Sequence, residues 1–165
     1  MKIGLYGAEG NWQQTILVDR TEIPGRDDYR YTIVNPVFNL EGEVDVELKD
    51  LLSFQDEGDP IADVFEGLVS SETQLIAEIT RFYPNSYRDA KEMPKKFQNQ
   101  GVGTSVLRTL MHDLFVTEEV NHFYVRNPKP PFHNLLIGRG YRLLQIKEEP
   151  QDNHLYRKIV KLSQI

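Results

Sequence analysis

The apolar positions of this chain follow a two-residue period in its first half and a helical period after residue 103. Thr15 to Val18, Tyr29 to Val34 and Val44 to Leu52 are runs of β-branched, aromatic or alternating apolar residues. Pro24-Gly25, Asn35-Pro36, Glu41-Gly42 and Gly58-Asp59-Pro60 bound them, so each predicts a strand. Alternation is clearest in Val44-Asp45-Val46-Glu47-Leu48, where Val44, Val46 and Leu48 share a face. From Asp63 to Tyr83 the pattern predicts two strands around a turn near Ser70-Ser71-Glu72-Thr73. In the second, Leu75, Ala77 and Ile79 line one face, and Ile76, Glu78, Thr80 and Phe82 the other. Pro84-Asn85-Ser86 ends it, and the polar stretch up to Phe97 reads as a loop.

Helical spacing then takes over. Val106, Leu107, Leu110, Met111, Leu114 and Phe115 form an apolar stripe, with Arg108, His112 and Asp113 between them. Thr117 to Glu119 break the stripe, and Val120 to Val125 predict a strand. Beyond the rigid turn Asn127-Pro128-Lys129-Pro130-Pro131, Phe132 to Ile137 predict a short helix stopped by Gly138 and Gly140. Tyr141 to Lys147 and His154 to Lys161 read as a closing hairpin. The order strand, glycine turn, helix, strand, short helix, strand, strand predicts an α/β fold in one domain over residues 1–165.

Composition narrows the function classes. The chain has 165 residues, 39% of them apolar, enough for one hydrophobic core. No apolar run approaches the ~20 residues of a membrane-spanning helix. Glu9 and Asn11 interrupt the weakly apolar start, so no targeting segment is expected and the expected location is cytoplasmic. Cysteine is absent, which removes disulfides, thiolate zinc sites and cysteine nucleophiles together. The four histidines show no short paired spacing, so no metal is expected. A net charge of −6 argues against a nucleic-acid surface, since phosphate binding rests on clustered Lys and Arg.

The glycine turn carries the candidate chemistry. In Gln98-Asn99-Gln100-Gly101-Val102-Gly103, two glycines open directly into the predicted helix. The first N–H groups of a helix lack intrahelical partners and the dipole is positive there, so such a turn favours an anion. Gly101 and Gly103 let the backbone approach a phosphate; Gln98 and Gln100 add neutral donors, Thr104 and Ser105 hydroxyls. A Walker loop needs a lysine that is not present before Thr104-Ser105. A dinucleotide fingerprint needs a third glycine where Val106 stands. The opening Gly4, Gly7 and Gly10 have the wrong spacing for that fingerprint.

Gln98 to Leu107 resembles motif A of the GNAT superfamily of acetyltransferases, with Pro94 and Phe97 at its usual lead-in. Asn127 after a strand, a short helix and then Gly140-Tyr141 resemble that family's motif B. The resemblance runs from about Leu75 to Leu144 and touches little of the first 70 residues. It implies a mixed, mostly antiparallel sheet flanked by helices, with two strands splayed apart around coenzyme A. It implies acetyl-CoA as co-substrate, held by Phe82, Gln98, Gln100, Gly101, Val102, Gly103, Thr104, Ser105 and Asn127. The strand Ile76 to Tyr83 would pair with the pantetheine arm and offer an N–H to the thioester carbonyl. An amine, on a small molecule or a protein, would attack the thioester directly.

Glu78 is the candidate base, its other reading being a solvent-facing strand residue. The family's tyrosine acid falls on Leu136, so it is missing here. His133 and Tyr124 are the substitutes, against structural and core readings respectively. Residues 85–96 lengthen the approach to the turn, where Tyr87, Arg88, Lys91, Lys95 and Lys96 form either a flap or a surface insertion. A CoA-binding module without catalysis and a cofactor-free α/β domain stand as alternatives. A homodimer is left open.

Overall fold

The computed structural model describes residues 2–6, 12–35, 40–84, 101–126, 128–138, 142–147 and 156–162, with side chains over 16–34, 41–84, 101–126 and 128–138. Among the described residues eight strands make one sheet: β1 (Lys2–Tyr6), β2 (Trp12–Ile23), β3 (Asp28–Asn35), β4 (Leu40–Asp50), β5 (Leu75–Tyr83), β6 (His122–Arg126), β7 (Arg142–Lys147) and β8 (Tyr156–Leu162). Their order is β1-β2-β3-β4-β5-β6-β8-β7. Every neighbouring pair is antiparallel except β5 and β6, which run parallel. The crossover between those two contains the long helix α3 (Val102–Glu118). Short helices α1 (Leu51–Asp56) and α2 (Ile61–Phe65) link β4 to β5, and α4 (Pro130–Gly138) follows β6.

Both sides of the sheet bury apolar residues, because side chains alternate along each strand. Val18, Tyr31, Ile33, Val44, Val46, Ala77, Ile79, Phe123 and Val125 meet the stripe Val106, Leu107, Leu110, Met111 and Leu114 of α3, with Phe132 and Leu136 of α4. Ile76 and Tyr124 point to the opposite side, where Leu51, Phe54, Ile61, Ala62 and Phe65 of α1 and α2 cover them. A network ties α3 to the N-terminal strands. Asp113 Oδ2 accepts from the Tyr31 hydroxyl at 2.7 Å and from Arg20 at 3.1 Å, and Tyr29 donates to Glu118 at 2.9 Å.

Four expectations change. The strand expected up to Leu52 stops at Asp50, whose carboxylate accepts from the Ser53 N–H at 2.8 Å and caps α1. The first of the two strands expected after Asp63 is absent: Ile61–Phe65 is a helix of 5 residues. A turn and a half shows no period to read, and its packing against Tyr124 stabilises it. Phe115, placed on the buried stripe of α3, is 42% exposed. Phe82 lies on the α3 side of the sheet, not with Glu78. The β4–β5 register jumps from Val46↔Ile79 to Asp45↔Arg81, so Thr80 is an extra residue that reverses the alternation after it.

Candidate active site

The β5–β6 ladder runs Ile76↔His122, Ala77↔Phe123, Glu78↔Tyr124 and ends there. Both strands continue, β5 to Tyr83 and β6 to Arg126. Each then follows its other neighbour: β5 stays paired with β4 through Tyr83↔Glu43, and β6 with β8 through Arg126↔Ile159. The bulge at Thr80 sits just past the last rung, and a bulge bends and twists its strand. The parallel pair therefore splays, leaving the β6-facing edge of β5 without ladder partners from β6 beyond Glu78.

On one side of the splay stands the start of α3. Gly101 caps it with φ +73°, a left-handed conformation that favours glycine, and no atom of the described residues lies within 4 Å of where its side chain would begin. The first bond within the helix is from Ser105 N–H to Gly101 O at 2.9 Å. The N–H groups of Val102, Gly103 and Thr104 thus have no intrahelical acceptor, and the first turn has no acidic residue to compete for an anion. Gly103 lies inside the helix, not before it as the sequence predicted, and needs no special dihedral. It is glycine because a Cβ would meet Leu135 Cδ1 at 2.8 Å, with Phe82 and Pro84 at 3.8 Å. The Phe82 ring stacks on Phe132 of α4 at 4.0 Å. Close packing around Gly103 thus fixes the helix start beside the open end of β5.

On the other side of the sheet, at the last rung, stand Glu78 and Tyr124. The Tyr124 hydroxyl donates to Glu78 Oε2 at 2.7 Å, while its ring is buried between Phe54 and Phe65. Burial pushes the phenol well above its usual range, and the Glu78 charge adds to this, with Arg126 opposing. Arg126 places Nε 3.1 Å from Glu78 Oε1, an ion pair off the hydrogen-bond direction. Its NH2 donates to Asp59 Oδ2 at 2.7 Å and to the Tyr124 hydroxyl at 3.2 Å. Burial alone would lower the guanidinium, but Asp59, Tyr124 and Glu78 outweigh it and hold it above its ordinary value.

The same face carries a row of carboxylates. Asp28, Glu47 and Glu78 stand opposite one another across β3, β4 and β5. Burial raises the Asp28 carboxyl above its ordinary value, and Glu47 raises it further. Like charges directly opposite are unfavourable in a sheet, and a cation beside them relieves the repulsion. Arg126 supplies it at Glu78, Lys49 at Glu47 and Arg26 at Asp28, at 3.1, 3.6 and 3.8 Å.

Two of the three catalytic candidates, Glu78 and Tyr124, are thus in contact. His133 rides on α4, on the α3 side, with Nε2 buried and without a hydrogen-bond partner among the described residues. Thr104 and Ser105 lie in the first turn of α3 beside Val102. Gln98, Gln100 and Asn127 lie outside the described residues. Leu136, at the place of the family's tyrosine, is fully buried core. Sequence reading passed over Arg126 and Asp59. A period of two from Tyr124 puts Arg126 on its face, and Asp59-Pro60 is a helix-start signal.

No group of three or more His, Asp or Glu side chains suited to a metal occurs among the described residues. No helix among them is long and apolar enough to cross a membrane.

The chain is similar in structure to Arabidopsis thaliana NAA60 solved in complex with a bisubstrate analogue, with a TM-score of 0.53 over 84% of this chain and 76% of that one. The two are 10% identical, so the likeness concerns the fold, which is GNAT-like. No family model and no curated protein sequence matches the chain.

Proposed function

We propose that this protein transfers an acetyl group from acetyl-CoA to a primary amine by direct attack. One observation carries the reading: the splay begins at Glu78↔Tyr124, with a helix start that has no side-chain cap on one side of the sheet and a carboxylate on the other. The residues fit the cofactor. Val102, Gly103 and Thr104 would hold the pyrophosphate through their N–H groups, with the Thr104 and Ser105 hydroxyls beside them. Gln98, Gln100 and Asn127 are assigned to the same task by the motif resemblance. The free edge of β5 would take the pantetheine arm, and Phe82 backs it by holding α4 in place. When bound, acetyl-CoA supplies an activated thioester.

Glu78 takes the proton of the incoming ammonium; the freed amine would form the amide as the thioester C–S bond breaks, and the departing thiolate would take its proton from water. Tyr124 turns the Glu78 carboxylate; its buried phenol is too weak an acid to give up its own proton readily.

A Thr104→Glu variant separates binding from folding. A glutamate in the first turn suits a helix, but its charge repels a phosphate. Calorimetric titration with acetyl-CoA should show binding to the wild type, weakened about tenfold or more in the variant (~1.4 kcal/mol), with unchanged thermal stability. No heat from the wild type would defeat the reading. Where acetyl-CoA binds, Glu78→Gln should cut kcat on an amine panel about a hundredfold.

The buried Leu136 in place of the tyrosine favours a second reading, a CoA-binding module without catalysis. Binding with no thiol release from any amine would select it.

A further inference from the structure

Glu78 and Tyr124 are held from behind by a residue that comes from neither the glycine turn nor the catalytic pair. Arg126 reaches both of them, and its far edge is gripped by Asp59 through NH2 at 2.7 Å and NH1 at 3.4 Å. Asp59 lies off the sheet, in the turn between α1 and α2. Its Oδ1 also accepts from the Ile61 N–H at 3.0 Å. The guanidinium is therefore fixed at one end by a two-oxygen grip and presents its other edge to the last rung of the ladder.

Several other charged or titratable groups surround this pair. Glu47 faces Glu78 from β4 and Lys49 is shared between Glu47 and Glu57. His122, on the same face of β6, turns Nε2 to Leu68 O at 3.1 Å. None of these bridges Glu78 to another element as Arg126 does.

We propose that Arg126, clamped by Asp59, is a positioning residue that holds the Glu78 carboxylate and the Tyr124 hydroxyl in the orientation needed to accept a proton at the strand gap. The inference rests on the acetyl-transfer reading for its catalytic consequence. Its structural cause, the link from the α1–α2 turn through Asp59 and Arg126 to Glu78, is independent of that reading.

Asp59→Asn tests it with almost no change of shape. The amide oxygen keeps the Ile61 N–H and the 3.4 Å contact with Arg126, while the amide nitrogen replaces Oδ2 and sets donor against donor where the 2.7 Å bond stood. The clamp loses its short arm and the fold is kept.

The Arg126 Nε–H is buried and should give a resolved NMR resonance in the wild type, which should collapse into the exchange-averaged arginine signal in Asp59→Asn. With it, kcat should fall about ten- to a hundredfold while the KM for acetyl-CoA holds, as for a misplaced catalytic group. Arg126→Lys, which keeps the charge without the fork, should lose kcat similarly. Collapse of the resonance with unchanged kcat overturns the proposal. An Arg126 resonance unaffected by Asp59→Asn overturns the clamp itself. A wild type that acetylates no amine defeats the acetyl-transfer reading and the catalytic consequence together, while the NMR result still decides the clamp.

Discussion

Gly101 and Gly103 stand two apart and are glycine for different reasons. At Gly101 the backbone is left-handed and no atom of the described residues crowds the side-chain position, so Gly101→Ala should cost about 1 kcal/mol through the backbone alone. At Gly103 the obstacle is Leu135 Cδ1, the end of a side chain. Gly103→Ala should therefore couple to Leu135→Ala, the double variant losing less than the sum of the singles, while Gly101→Ala adds independently. Urea midpoints for the wild type, the three single variants and the two double variants with Leu135→Ala decide this, and equal coupling at both glycines would refute it. The spacing of the glycines was legible in the sequence, and so was their place at a helix start. Which one serves the dihedral and which the packing was not, because Leu135 reaches Gly103 from another helix.

At the scale of elements, the apolar stripe of α3 could be read directly, since its period is local. Its polar contacts could not. Asp113 falls between stripe positions and looks like a solvent residue, yet it accepts from Tyr31, which is 0% exposed, and from Arg20. Asp113→Ala should cost about 2 kcal/mol, because it strands a buried hydroxyl. Adding Tyr31→Phe should recover part of that loss, and strict additivity would show that the bond contributes nothing. The faces of β5 were read correctly up to Ile79 and wrongly at Phe82. One extra residue in a ladder inverts everything after it, and only the partner strand reveals the insertion.

For the whole molecule, two buried phenols set the alkaline limit. Burial, together with a neighbouring carboxylate, holds Tyr31 and Tyr124 well above their ordinary range. Below about pH 9 both folded and unfolded chains keep these protons, so stability is independent of them. Above about pH 10 the unfolded chain loses them and the native one does not. Each should then remove about 1.4 kcal/mol of stability per pH unit. Urea denaturation between pH 8 and 11 should show this fall, with Tyr31→Phe and Tyr124→Phe each removing one proton from the slope. Variants with the wild-type slope would mean that neither phenol is protected.

The sequence by itself determined the strand–helix–strand order of the second half, the two glycines at the start of α3 and a leucine at position 136, where the resemblance calls for a tyrosine. All three depend on neighbours a few residues apart. Tertiary structure alone decided that Glu78 and Tyr124 meet at the end of a ladder and that Arg126 and Asp59 brace them. The Tyr124–Glu78 and Arg126–Asp59 contacts span 46 and 67 residues, and sheet pairing and two short helices bring them about. Those helices carry no period of their own to read, because their stability comes from what they cover.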